Sequence, residues 1–133
     1  MTTLHKFFGF SGRIRRLDYW LLNLALYLLL MSLDLVTWLV SHFGGFTLLL
    51  SPAWDAVGLA VAAVVIWGVV AVTLKRCHDR DRGWPWAAFC LLVPVVGWIV
   101  ALIDLGFIEG TPGPNRFGPS PKGLGEAPLN LTV

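Results

Sequence analysis

From Ala56 to Leu74 the chain runs without one charged side chain. A helix rises 1.5 Å per residue, so about 20 apolar residues cross the roughly 30 Å of hydrocarbon in a bilayer. Two further runs approach that length. One extends from about Tyr19 to Val40 and is interrupted by Asn23 and Asp34; the other extends from about Trp84 to Ile108 and contains Pro94 and Asp104. Lipid offers a peptide group no hydrogen-bond partner, so each run must be helical. The pattern predicts an all-α, polytopic transmembrane helical bundle with three hydrophobic segments, near 19–40, 56–74 and 84–108, in a single domain over residues 1–122.

Composition agrees. Only 14% of the residues are charged, against about a quarter in soluble domains, and the mean hydropathy is +0.72. A net charge of +2 is too small to suggest nucleic acid. Cys77 and Cys90 are spaced for neither a CxxC redox pair nor a zinc knuckle, and a structural disulfide is not expected. The first apolar run is too long for a signal-peptide core and no small-residue cleavage site follows, so the first span should stay in the mature protein.

Lys and Arg set the expected orientation. Lys6, Arg13, Arg15 and Arg16 precede the first segment; the loop from Ser41 to Asp55 has none; Lys75, Arg76, Arg80 and Arg82 follow the second. That asymmetry predicts a cytoplasmic N-terminus and second loop. Tyr19, Trp20, Trp38, Trp54, Trp84 and Trp86 fall near segment ends, where amphipathic rings prefer the headgroup region. Trp67 and Trp98 lie deeper and are expected to pack.

The third segment has two readings. Pro94 removes a ladder hydrogen bond and crowds the preceding turn, and Gly97 follows it. "VPVVG" is then either a kink in a full span or the tip of a re-entrant hairpin. Hairpin arms of ten to twelve residues reach about 15–18 Å, half a bilayer, which favours the kinked span. From Gly110 onward lie five of the eight prolines and five of the fourteen glycines. Proline breaks helices and glycine permits turns, so this is an irregular tail, ordered to about Lys122 and disordered over 123–133.

"GFSGRIRRLDYW", "KRCHDRDRGWPW", "VPVVGW" and "GTPGPNRFGPSPKG" occur in that order. Together they resemble the bacterial family called domain of unknown function 805, small YhaH-like inner-membrane proteins, over roughly residues 7 to 122. Patterns similar to G-R-x-x-R, R-x-H-D and N-R-x-G-P-x-P fall on Gly12, Arg13, Arg16, Arg76, His78, Asp79, Asn115, Arg116, Gly118, Pro119 and Pro121. Cys77 stands where the family usually has an apolar residue. The resemblance implies a polytopic inner-membrane protein and no particular activity. It also bears on topology: if Asn115 and Arg116 join His78 and Asp79 in one polar cluster, tail and loop share a membrane face. That favours the hairpin, so the tail's side stays open.

Two sets of residues are candidates for function. Arg13, Arg16, Arg76, His78, Asp79, Asn115 and Arg116 form the candidate polar cluster. Neighbours in "RCHD" stand about 100° apart on a helix and do not converge on a metal or form an oriented nucleophile–base pair, so no metal, cofactor or catalytic residue is assigned. The plainer expectation is exposed ion pairs of ~0.2–1 kcal/mol, Asp79 with Arg76 or Arg82. "GRIRRLDYW", with Phe7, Phe8 and Phe10, is expected to form an amphipathic arm at the cytoplasmic interface, its arginines meeting anionic headgroups. Asp34 and Asp104 are the candidate intramembrane pair, since a charge at a bilayer centre costs ~2.5–3.5 kcal/mol on insertion scales. With all three segments spanning, Asp34 falls in the outer half and Asp104 near the outer end.

The leading expectation is a non-enzymatic scaffold or accessory subunit of the bacterial inner membrane, its polar cluster contacting lipid headgroups or a partner. Steps of small residues (Gly58 and Ala62; Ala63, Trp67 and Ala71; Cys90, Pro94, Gly97 and Ala101) suggest close helix packing or a homo-oligomer. The alternative is a transport or channel component using Asp34 and Asp104. An enzyme using His78 and Asp79 ranks third.

Overall fold

A computed structural model describes residues 9–43 and 45–123. Residues 1–8, and with them Phe7 and Phe8 of the expected arm, lie outside the described residues, as do residues 124–133 of the tail expected to be disordered. All regular elements among the described residues are helices.

Helix α1 (Arg16–His42) and helix α3 (Pro52–Asp79) are both long and apolar enough to cross a membrane, and the single turn α2 (Phe46–Leu49) lies between them. Ser51 caps α3, its side chain accepting from Trp54 N–H at 3.3 Å, and Pro52 opens the first turn, where no N–H is needed. The two long helices meet through small against large. A Cβ on Gly68 would lie 2.9 Å from Leu26 Cδ2, so glycine lets α1 approach. Helix α3 ends in a Schellman turn: Asp81 N–H donates to His78 O at 3.0 Å and Arg82 N–H to Cys77 O at 2.8 Å. Asp81 takes the left-handed position with φ 56°, which a short polar residue tolerates.

The third apolar segment is neither a straight nor a kinked rod. Helix α4 (Trp84–Leu92) stops, the chain turns at Val93–Val95, and helix α5 (Val96–Val100) continues as a π-helix over Ala101–Phe107. At the tip Val96 N–H donates to Pro94 O at 2.7 Å around Val95, whose φ is 63° and ψ −67°. This is the γ-turn of positive hand, a strained conformation for a β-branched residue. Gly97 makes the reversal close, because a Cβ there would collide with the Phe89 carbonyl. The N–H groups of Val93, Val96 and Gly97 are all bonded within the hairpin, which is what irregular backbone needs at membrane depth. The returning arm brings Asp104 to Trp86, the third residue of α4, with Trp86 Nε1–H donating to Asp104 Oδ2 at 3.1 Å. Of the two sequence readings, the geometry is the hairpin.

Burial is confined to one half. Ile14, Leu22 and Val72 form one core cluster; Cys77, Ala87, Cys90 and Leu105 form the other. Trp67 and Trp98, expected to pack, are 51% and 59% exposed, and Trp67 meets the Phe10 ring edge-on at 4.8 Å between centroids.

Candidate functional site

The last turn of α3 is polar and buried. Lys75, Arg76, Cys77, His78 and Asp79 are all buried, and Arg76 and Asp79, three residues apart, stand on one face. A carboxylate buried this deeply needs charged partners. Asp79 has two: Arg76 NH1 reaches Oδ2, and Arg13 Nε donates to Oδ1 at 3.0 Å. These pairs are enclosed, at 1% and 4% side-chain exposure, where exposed pairs were expected.

Arg13 also corrects the expected arm. Residues 9–15 are not helical, Arg15 precedes α1 in extended backbone, and the Arg13 side chain turns inward. Its guanidinium donates to Gly113 O and Thr111 O, each at 2.7 Å, and to Gly118 O at 3.3 Å. Thr111 in turn binds Asp79 O through its N–H at 2.8 Å. Gly110 is required beside them, since a Cβ would collide with the Asp79 carboxylate. One arginine thus joins the N-terminal arm, the end of α3 and the tail.

Arg76 supplies what the π-helix lacks. The last carbonyls of any helix have no intrahelical donor. Arg76 Nε donates to Leu105 O at 2.7 Å and NH2 to Ile108 O at 2.6 Å. Trp20 Nε1–H donates to Gly106 O at 3.0 Å, and Arg16 NH1 to Phe107 O at 2.9 Å. Three donors from α1 and α3 therefore cap the returning arm, and two are cations placed where the helix dipole favours them. The wide i→i+5 turn, closed by Ile108 N–H on Ile103 O at 3.2 Å, directs Asp104, Leu105 and Gly106 inward together.

Asp104 is a second hub. Arg80 NH2 donates to Oδ1 at 3.0 Å and Arg82 Nε lies 3.7 Å from Oδ2, while the Arg82 guanidinium stacks 3.9 Å over Trp86. Asp104 was expected near the far end of a rod; the hairpin returns it to the loop arginines. Asp34 stays apart and exposed. Trp20 touches Gly106, and Asp34 lies fourteen residues further along α1, about 21 Å at helical rise. The two aspartates therefore form no common site.

Of the candidate cluster, Arg13, Arg76, His78, Asp79 and Asn115 come together. His78 Nδ1 lies 3.3 Å from Gly12 O and its ring stacks on Phe117 at 3.9 Å between centroids. Asn115 Nδ2 donates to His78 O at 2.8 Å, and its Oδ1 accepts from Phe117 N–H at 2.9 Å, which shapes the tail's turn. Arg16 and Arg116 lie on an exposed rim; Arg116 Nε is 3.2 Å from Asp81 Oδ1. Sequence reasoning passed over Trp20, Thr111, Gly110 and the buried Lys75. Trp20 was read as an interface ring and Gly110 as the start of an irregular tail; only long-range contact reveals either role.

On the rim Lys122 Nζ donates to Glu109 Oε1 at 3.0 Å, with Arg16 NH2 3.8 Å from the same oxygen. The Lys122 hydrogen bond, then the nearby positive charge, holds the Glu109 carboxyl below its ordinary range. Chemically, this end offers buried cations whose donors the chain's own carbonyls absorb, and outside them a ring of exposed cations.

The family model described as "Protein of unknown function (DUF805)" matches residues 7–119. The inner membrane protein YhaH of Escherichia coli strain K12 is 31% identical over 128 residues, covering 92% of this chain and 94% of its own length. The inner membrane protein YhaI of the same strain is 30% identical over 122 residues, covering 92% and 93%. The uncharacterized protein YiiR, also of that strain, is 31% identical over 146 residues, covering 89% of each. No solved structure matches.

Proposed function

The chain belongs to the DUF805 family of helical membrane proteins, and we propose that it serves as a small multi-pass scaffold or accessory subunit, without enzymatic activity, of the bacterial inner membrane. Helices α1 and α3 cross the bilayer, and the α4–α5 hairpin enters and returns. The N-terminus, the end of α3 and the tail all lie on the cytoplasmic face, where the rim contacts lipid headgroups or a partner protein.

One observation carries this reading. Every described Lys and Arg (Arg13, Arg15, Arg16, Lys75, Arg76, Arg80, Arg82, Arg116 and Lys122) belongs to this one end. Five carboxylates accompany them (Asp18, Asp79, Asp81, Asp104 and Glu109), so positive charge exceeds negative by four. Asp34 and Asp55 belong to the opposite half. An end so charged stays on the cytoplasmic side. Its inner arginines serve the fold, which leaves the exposed Arg15, Arg16, Arg116 and Lys122 for headgroups or a partner.

Reporters active on only one side of the membrane, fused in turn to the N-terminus and after Val133, test the arrangement. Cytoplasmic signals from both support it. A tail reporter active only outside would make the third segment a crossing and end the reading.

A further inference from the structure

We propose that the polar end holds a binding site for a phosphate group, in the cavity walled by Arg15, Arg16 and Lys122 above the Arg13–Asp79–Arg76 triad. It rests on the headgroup-contacting reading above and narrows it to one cavity and one ligand chemistry.

The cavity measures about 150 Å³. Drug-sized ligands take roughly 300–1,000 Å³, so this space suits a small anionic group, not a whole organic substrate. Its walls carry five cations against two carboxylates, Asp79 and Glu109. The excess begins in the buried layer: Arg13 and Arg76 share one carboxylate, and the backbone carbonyls around them supply dipoles but no charge. A buried positive charge without a full counter-charge is costly, and an anion entering from above neutralises it.

The outer layer has donors to offer. Arg15 spends its Nε on Pro121 O at 2.6 Å, and its terminal nitrogens are engaged by none of the described residues. An arginine fork matches two phosphate oxygens at once, as a lysine point charge does not. The buried Ser120 also lines the cavity and adds a neutral hydroxyl.

Glu109 is the present counter-ion. Its side chain is 64% exposed, bound to Lys122 at 3.0 Å and more loosely to Arg16 at 3.8 Å. Swinging outward, it releases both cations to an incoming phosphate. The cavity therefore binds more tightly when the Glu109 charge is removed, which no purely structural role of these residues requires.

The full chain, purified in detergent, is tested with two probes: phosphatidic acid against phosphatidylcholine by native mass spectrometry, and inorganic phosphate by titration calorimetry. The variants are Arg15→Gln with Lys122→Gln, which leaves the triad intact, then Glu109→Gln, then Arg116→Gln outside the cavity. Binding should weaken about tenfold or more in the double variant and tighten in Glu109→Gln. That pattern with phosphatidic acid makes a lipid headgroup the source; with inorganic phosphate alone, a free phosphate. Binding of neither probe overturns the proposal, as does binding that Glu109→Gln leaves unchanged or weakens. Lipid retention lost in Arg116→Gln but kept in the double variant overturns the cavity while the headgroup reading stands.

Discussion

Helices α1 and α3 are nearly equal in length, at 27 and 28 residues, yet their two halves are built on different principles. Around the polar end, Arg13, Ile14, Leu22, Leu26 and most residues from Ala71 to Asp79 are buried, and hydrogen bonds link residues up to 106 positions apart. Between Tyr27 and Val64 no described residue is buried. In water such a half would collapse or aggregate; in a bilayer lipid covers it, and the chain need not. The comparison teaches where specificity resides. Lipid holds the apolar half in place, and the charged half decides which segments meet.

If so, substitutions should divide by location. The largest effect falls on Asp79→Asn, which leaves two buried arginines without their carboxylate. A loss of about 3–5 kcal/mol is expected, read as thermal unfolding in detergent and as protease sensitivity of the tail. Gly110→Ala, which drives a methyl into the Asp79 carboxylate, should cost about 1–3 kcal/mol in the same assay. Val95→Gly should move the other way. It relieves the positive-φ turn at the hairpin tip, and a gain of up to about 1 kcal/mol is expected; a clear loss would mean that the tip is not turned as described. Arg116→Gln removes an exposed pair and should cost only ~0.2–1 kcal/mol. At the far end of the scale, Asp34→Asn, exposed in the apolar half, should change stability by less than about 0.5 kcal/mol. A large effect there would erase the contrast between the halves.

The sequence made one level of this architecture legible and concealed another. Three apolar runs and the asymmetry of Lys and Arg are sums over many residues, and they survive any local error. The reversal at Pro94–Gly97 stood as one of two readings, because proline and glycine signal a break without saying which way the chain leaves it. What decided the matter was non-local. The returning arm is held by Trp20 on Gly106 and Arg76 on Leu105 and Ile108, contacts no sequence window contains. Counting along an assumed rod sent Asp104 to the wrong end; the hairpin restored it to Arg80. The arm before α1 illustrates the same limit. Helical spacing of arginines suggested a surface helix, but a buried carboxylate sixty-six residues away gives Arg13 a stronger reason to turn inward.

The central claim is that the N-terminal arm and the tail meet at one end of the molecule. Arg15→Cys and Lys122→Cys, introduced together, test it in native membranes with a short bifunctional thiol reagent. The native Cys77 and Cys90 remain as buried background. A single intramolecular bridge between the two positions is the predicted result. Two thiols that each react with a monofunctional reagent yet never bridge, or that react from opposite sides of the membrane, would contradict it.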